Sequence, residues 1–370
     1  MLFRSVNLNV SPIESWGKTT TKPFVIAGPC SAETPEQMRT IAEGIKNLNV
    51  DVFRAGVWKP RTRPNAFEGS GAESLQWLAD IKKEFNIRVG TEVANAAHVE
   101  EALKYDLDVL WIGARTTVSP FSMQEVADSL RGVKDKIILV KNPTHPELGL
   151  WIGAMERLNQ AGIEKLGAIH RGFSTYEKSK YRNQPIWQIP LELRRIAPQI
   201  PIICDPSHIA GNRELIFDIS QKAMDLNFDG LMIETHHCPE KAWSDADQQV
   251  TPERLGEILA ELKVRTTTSN NQIFIDQLED LRRKIDNIDR EMLETLAARM
   301  AVVEKIGEYK KENNVTTFQV NRWDEIMKNR AETAKKMNLS TEYVTEIFKL
   351  IHEESVKKQS EIMKAAEADK

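Results

Sequence analysis

The sequence predicts an α/β chain, a (β/α)8 TIM barrel followed by an all-α domain of three helices. Three observations carry this. Eight short apolar, β-rich runs alternate with amphipathic stretches between residues 23 and 262. Nearly every run closes on a polar or reactive residue. From residue 275 onward the chain is dense in Glu, Lys, Leu and Ala, with almost no Pro or Gly.

The apolar runs are 24–27, 50–55, 87–93, 109–113, 137–141, 166–170, 200–205 and 230–234. Each is largely continuous in its hydrophobicity, which marks strands buried on both faces and therefore a parallel sheet. Helical periods lie between them, over 35–48, 74–85 and 96–105. A doubly wound open sheet is the alternative, but it more often carries a Gly-rich nucleotide loop after its first strand, and none is present. Residues 263–272, KVRTTTSNNQ, are polar and aperiodic, so 263–274 reads as a linker between a barrel of 1–262 and a helical domain of 275–370. In that domain Leu281, Ile285, Ile288, Met292 and Leu296 recur at helical spacing, and helices are expected over 275–311, 319–337 and 341–366. Helices of such unequal length do not close a core alone. The first needs a partner, so a dimeric bundle is the physical expectation.

A net charge of −4 gives no reason to expect nucleic acid or a membrane surface as partner. No run of about 18 apolar residues occurs, and the first ten residues lack a signal-peptide core, so a cytoplasmic protein is expected. The odd set Cys30, Cys204 and Cys238 argues against a disulfide framework.

In a parallel barrel, functional groups collect at the C-terminal ends of the strands. Two constellations lie there. Arg54, Lys59, Arg61, Arg115, Lys141 and Arg171 make a cationic cup on a near-neutral protein. Such crowding is costly unless anions fill it, and Arg forks suit phosphate and carboxylate. Surface pairing with acids is the plainer alternative. Cys30, His208, Glu234 and Asp245 form the second set. A thiolate, an imidazole and two carboxylates suit a transition-type divalent cation better than Mg or Ca. The bland alternative is a buried Cys30 with acids paired to the cations. Cys238, with His236 and His237, could supply other ligands, while Cys204 sits in an apolar run and reads as core.

GPCS (28–31), KPRT (59–62), GARTT (113–117), DPSH (205–208) and the Glu234…Asp245 pair give residues 20–262 a specific likeness. This part resembles 3-deoxy-D-arabino-heptulosonate 7-phosphate (DAHP) synthase, of the shorter subtype shared with 3-deoxy-octulosonate 8-phosphate synthases. The resemblance implies condensation of phosphoenolpyruvate with erythrose 4-phosphate. It implies a divalent metal (Mn, Fe, Co or Zn) on Cys30, His208, Glu234 and Asp245. Phosphoenolpyruvate would be held by Arg54, Lys59, Arg115, Lys141 and Arg171, and the aldose phosphate by Arg61 and Thr62, with Lys59 or His208 handling protons. KPRT favours the four-carbon sugar over a five-carbon one. Residues 63–65 and 142–145 depart from the subtype's commoner forms.

In the helical domain Arg299 and Lys310 lie three turns apart and so share a face, as do Ser355 and Gln359, one turn apart. Arg299 stands among Leu296, Met300 and Val303, where a cation needs an anionic partner. With Arg282 and Arg322, these residues make 275–362 similar to all-helical chorismate mutases. That implies rearrangement of chorismate to prephenate inside a homodimer. Arg299, Lys310 and Arg322 would come from one chain and Arg282 from its partner, with Gln359 and Lys310 at the ether oxygen. Gln319 replaces a usual acid, and Trp323 stands where many members have Glu. The alternative is a regulatory or dimerisation module that senses chorismate or prephenate and throttles the barrel.

Overall fold

The computed structural model describes residues 6–17, 22–59, 67–176, 179–266 and 268–364. The chain falls into two compact units, Met1–Thr267 and Thr268–Lys370.

The first unit is a closed barrel of eight parallel strands in sequence order. They are β1 (Phe24–Gly28), β2 (Val52–Arg54), β3 (Arg88–Val93), β4 (Val109–Ile112), β5 (Ile137–Lys141), β6 (Leu166–His170), β7 (Ile202–Cys204) and β8 (Gly230–Glu234). Each apolar run of the sequence became one strand. β2 and β7 are shorter than their runs: the ladders reach only Val52–Arg54 and Ile202–Cys204. The strands are wrapped by α1 (Pro35–Ile45), α2 (Glu73–Phe85), α3 (Ala96–Lys104), α4 (Ala114–Thr117), α5 (Pro120–Ser129), α6 (Leu148–Gln160), α7 (Gln188–Ile196), α8 (Pro206–Ala210), α9 (Ile216–Asp225) and α10 (Pro252–Glu261). Local chemistry starts several of these helices. Thr34, Asn95 and Ser119 each accept a hydrogen bond from a backbone N–H of the first turn, and Pro35 and Pro120 open their helices at a position with no donor to satisfy.

Side chains of a strand alternate between its two faces, so each barrel strand serves two cores. Inward-facing Phe24, Ile26, Val52, Trp111, Leu139, Ile169 and Met232 fill the lumen. Trp16, from the 3-10 turn Ile13–Trp16, joins that cluster. A Cβ on Gly167 would come within 2.6 Å of the Trp16 ring. Outward-facing Val25, Ala27, Phe53, Val89, Ile138 and Cys204 pack with the helices. Fully burying one aliphatic or aromatic side chain of this kind contributes about 1.5–3 kcal/mol.

The same alternation decides what reaches the barrel mouth. Counting on by twos from Ile26, Val52, Gly90, Val109, Leu139, Ile169, Ile203 and Met232 reaches Gly28, Arg54, Glu92, Trp111 and Gly113, Lys141, Arg171, Asp205 and Glu234. One ring of side chains above the apolar lumen is therefore almost wholly charged. The residues between them, such as His170 and Cys204, face the helices.

The second unit is α11 (Gln272–Glu312), α12 (Val320–Lys336) and α13 (Thr341–Lys364). α11 has 41 residues, about 60 Å at 1.5 Å per residue. Its Leu281, Ile285, Ile288, Met292 and Leu293 are all exposed, an apolar stripe without cover. Gly307 lets α11 and α13 approach, since a Cβ there would meet Ile362 Cδ1 at 3.0 Å and Gln359 Cγ at 3.3 Å. Among the described residues no helix is long and apolar enough to cross a membrane.

Candidate functional site

At the C-terminal end of the barrel lies a cavity of about 420 Å³, lined by Lys59, Glu92, Arg115, Thr144, Lys141, Arg171, Ser174, Arg182, Asn183, His208 and Asp245. Its floor is packed by backbone. Gly28 has φ of 145°, and a Cβ there would stand 2.1 Å from the Arg54 carbonyl oxygen. Only glycine lets β1 and β2 close at this point. The Arg54 guanidinium is almost completely buried, with Cζ 5.0 Å from the centre of the Trp111 ring. It lies 3.2 Å from Glu234 Oε1 and donates to the Cys30 carbonyl at 3.3 Å.

The cations of the cup are more compensated than the sequence implied. Lys141 stands 3.4 Å from Asp205 and 3.7 Å from Glu92. Lys59 donates to Cys30 Sγ at 2.8 Å and to the Cys30 carbonyl at 3.0 Å. Arg171 differs: among the described residues no carboxylate lies within ion-pair reach of it, and its backbone N–H is fixed by Asn142 Oδ1 at 2.7 Å. Burial, together with the Arg182 and Arg115 charges and against the pull of Asp205, lowers its guanidinium to about 10. A guanidinium destabilised in that way is a receptor for an incoming anion. Arg61 and Thr62 lie outside the described residues.

The four expected metal ligands reach the same mouth from the segment after β1 (Cys30), from α8 (His208), from the end of β8 (Glu234) and from the segment beyond it (Asp245), in two touching pairs. Cys30 Sγ lies 3.3 Å from Asp245 Oδ2, and His208 Nε2 lies 3.7 Å from Glu234 Oε1. Asp205 caps α8, accepting the His208 backbone N–H at 3.1 Å, and its Oδ2 stands 2.8 Å from His208 Nδ1. That leaves Nε2 free to face the mouth, the usual arrangement around a ligating imidazole. Burial alone would raise the Asp205 carboxyl, but His208 and Lys141 hold it well below the carboxylate range. Lys59 and Arg182 do the same for Asp245. Burial and then the Glu234 charge push the Cys30 thiol up to about 12, against the opposing pull of Lys59. Asp245 sits in the left-handed region at φ 47°, a conformation that costs a non-glycine residue about 1 kcal/mol and recurs at functional sites.

This donor set fits a divalent transition-type ion. Glu234 Oε1 is shut from solvent and accepts no hydrogen bond among the described residues, and soft sulfur, imidazole and carboxylate donors converge. In the arrangement seen, however, no three His, Cys, Asp or Glu side chains among the described residues stand as a ready metal cage. The alternative ligands fare differently. His236 Nε2 lies 3.5 Å from Glu33 in the segment after β1, and His236 Nδ1 accepts the Cys238 backbone N–H at 3.0 Å, so His236 already has partners on both ring nitrogens.

Sequence reasoning missed several contributors. Glu92 was hidden inside an apolar run; its signal is the inward register it shares with Gly90. Arg182 lies in a long aperiodic loop, yet it donates to Asp245 Oδ1 at 2.8 Å and to Gln248 Oε1 at 2.7 Å. Gln248 in turn donates to Glu234 Oε2 at 2.6 Å. Nothing local in the sequence marks either residue.

In the helical unit Arg299 Nη1 donates to Ser355 Oγ at 2.7 Å, joining α11 to α13. Ser355 and Gln359 are buried, and Gln359 Oε1 has no hydrogen-bond partner among the described residues. Lys310 Nζ donates to the Thr317 carbonyl at 2.8 Å. Burial lowers both Arg299 and Lys310 from their ordinary values. Arg282 and Arg322 do not join this group. Each is exposed and paired along its own helix, Arg282 with Glu279 at 2.7 Å and Arg322 with Glu325 at 2.6 Å.

Comparison with known proteins finds a family for each unit. Residues 14–269 match the model of the DAHP synthetase I family, and residues 281–360 match that of chorismate mutase type II. The phospho-2-dehydro-3-deoxyheptonate aldolase of Thermotoga maritima is 31% identical over 239 residues, covering 65% of this chain and 68% of that one. A 2-dehydro-3-deoxyphosphooctonate aldolase of Desulfotalea psychrophila is 28% identical over 261 residues, covering 65% of this chain and 89% of its own length. The helical part is similar to the bifunctional chorismate mutase/prephenate dehydratase of Buchnera aphidicola, 36% identical over 96 residues, which are 26% of this chain and 24% of that one. The crystal structure of the Thermotoga maritima DAHP synthase superposes with a TM-score of 0.59 at 29% identity, covering 65% of this chain and 67% of that one. The chain belongs to the DAHP synthetase I family, a transferase-type aldolase barrel, and carries a chorismate mutase domain of type II behind it.

Proposed function

We propose that the barrel condenses phosphoenolpyruvate with erythrose 4-phosphate, and that the helical domain rearranges chorismate to prephenate. The observation that carries the first part is the charged ring at the barrel mouth, where Arg171 lacks a carboxylate partner among the described residues. Arg54, Lys59, Arg115, Lys141 and Arg171 would hold the phosphate and carboxylate of phosphoenolpyruvate, with Arg61 and Thr62 on the aldose phosphate. Such fixing of two anions in one cup supplies proximity and charge stabilisation together. The enol carbon then attacks the aldehyde carbon, water adds at the carbon bearing the phosphate, and phosphate leaves.

Cys30, His208, Glu234 and Asp245 would hold a divalent ion (Mn, Fe, Co or Zn), which when bound supplies Lewis-acid polarisation of a substrate oxygen. Asp205 orients His208 for that task, and Arg182 and Gln248 orient Asp245 and Glu234. Lys59, in contact with Cys30, is placed to pass a proton at its Nζ. Cys30→Ala should abolish synthase turnover while leaving the melting temperature within a few degrees. Full activity in a metal-stripped sample of that variant would contradict the metal role. The choice of sugar is tested by offering erythrose 4-phosphate and arabinose 5-phosphate side by side.

For the helical domain the supporting observation is the Arg299–Ser355 contact beside buried Gln359. Arg299 and Lys310 would bind the dicarboxylate, and Lys310 and Gln359 would face the ether oxygen as its bond breaks. Arg282, exposed on α11, and the uncovered stripe from Leu281 to Leu293 favour a homodimer that brings Arg282 to the partner's site. Equilibrium sedimentation tests this directly: Leu281→Asp with Ile288→Asp should shift the chain toward monomer and remove mutase turnover. We further infer that prephenate or chorismate bound by the helices throttles the synthase.

A further inference from the structure

His352 lies on α13 three residues before Ser355 and seven before Gln359, so the three side chains share one helix face. Its ring stacks on Trp323 of α12, centroids 4.1 Å apart with the planes 27° from parallel, and Phe318 meets it edge-on at 5.6 Å. Two aromatic contacts therefore fix the plane of the imidazole. Its Nε2 is shut from solvent and finds no hydrogen-bond partner among the described residues. A polar atom left in that state costs free energy in every molecule that carries it, unless a ligand completes the bond.

The neighbouring charges say what that ligand is. Arg299 and Lys310, both on α11, act on the ring, and Glu353 on α13 opposes them. Burial comes first and the two cations second, and together they keep the imidazole below its ordinary value and hence neutral near pH 7. A neutral imidazole still offers one N–H, and it does so without adding a third positive charge to the cluster. The cluster therefore combines two cations with one oriented neutral donor.

We propose that His352 is a ligand-contacting residue of this site, donating from Nε2–H to an oxygen of the dicarboxylate that Arg299 and Lys310 bind, with Trp323 holding the ring in place. The inference rests on the mutase reading above. It differs from a packing role in one respect: the N–H is needed, not the ring's bulk. His352→Phe keeps an aromatic stack and removes the donor, whereas His352→Gln keeps an N–H at a similar reach.

The test is steady-state kinetics with chorismate on the full chain, with thermal melting as the control for folding. His352→Phe should raise KM about tenfold, the loss of one hydrogen bond to an anion, while His352→Gln should stay within about threefold of the parent. Should the Phe variant melt early, His352→Ala replaces it in the comparison with Gln. If the parent chain shows no turnover, the same variants are ranked by the Kd for prephenate, with the same order expected. An unchanged KM in His352→Phe alongside a collapsed Arg299→Ala variant would reduce His352 to packing and leave the mutase site standing. An Arg299→Ala variant that works normally would remove the site itself, and this inference with it.

Discussion

Asp106 shows how a single side chain is tuned by its neighbours. It accepts hydrogen bonds from Lys136 and from Lys82, and these, Lys136 first, lower its carboxyl to about 2 from an ordinary 3.8. A depressed carboxyl contributes stability that is complete above its unfolded value and is lost as pH falls through the folded one. The window here is pH 4 to 2. Asp106→Asn should therefore lower the melting temperature slightly at pH 7, by no more than a surface pair's worth of about 1 kcal/mol, and the difference should shrink steadily as pH falls toward 2. Asparagine tolerates the positive φ of 54° at this site, so the comparison isolates charge. An equal loss at both pH values would assign the effect to something other than the ion pair. The mouth residues follow a related logic. Arg54, Lys141, Asp205 and Glu234 were legible because each stands at or next to the end of an apolar run. Arg182 was not, because its partner Asp245 is 63 residues away and no local period links them.

Among the elements, β-strand register accounts for most of what could be read in advance. Eight apolar runs became eight strands, and the period of two then placed Arg54, Glu92, Lys141 and Glu234 inward at the strand ends. The same rule sets the sixth strand end apart: His170 faces outward, fully buried with Phe173, Trp187 and Phe228, and burial drives its imidazole down to about 3. The three helices of the second unit fall within a few residues of their expected bounds, since Asn271 caps α11 and only short breaks interrupt the 3.6-residue period. What periodicity could not show is the closeness of α11 and α13 at Gly307. Gly307→Ala should gain helix propensity of about 1 kcal/mol and lose it again to contacts with Ile362 and Gln359. Melting should hardly move, while KM for chorismate rises through the displaced Gln359. A clear stabilisation with unchanged KM would show that α13 yields freely there.

The whole molecule joins two activities on one chain, and each unit carries its own charged site. The barrel's site was visible because it is assembled from strand ends, which a sequence displays in order. The mutase site was visible only as spacings, and half of its expected cations, Arg282 and Arg322, sit outside the cluster within one chain. If the helical domain regulates the barrel, prephenate should slow the synthase in the intact chain and have no effect on residues 1–267 expressed alone. Equal sensitivity in both would place the effector on the barrel. The account turns first on the chemistry at the barrel mouth. Its most direct test is phosphoenolpyruvate consumption by the intact chain in the presence of erythrose 4-phosphate, before chelation, after it, and after Mn²⁺ is restored. The account predicts turnover that disappears on chelation and returns with the metal; undiminished turnover in the stripped protein would contradict it.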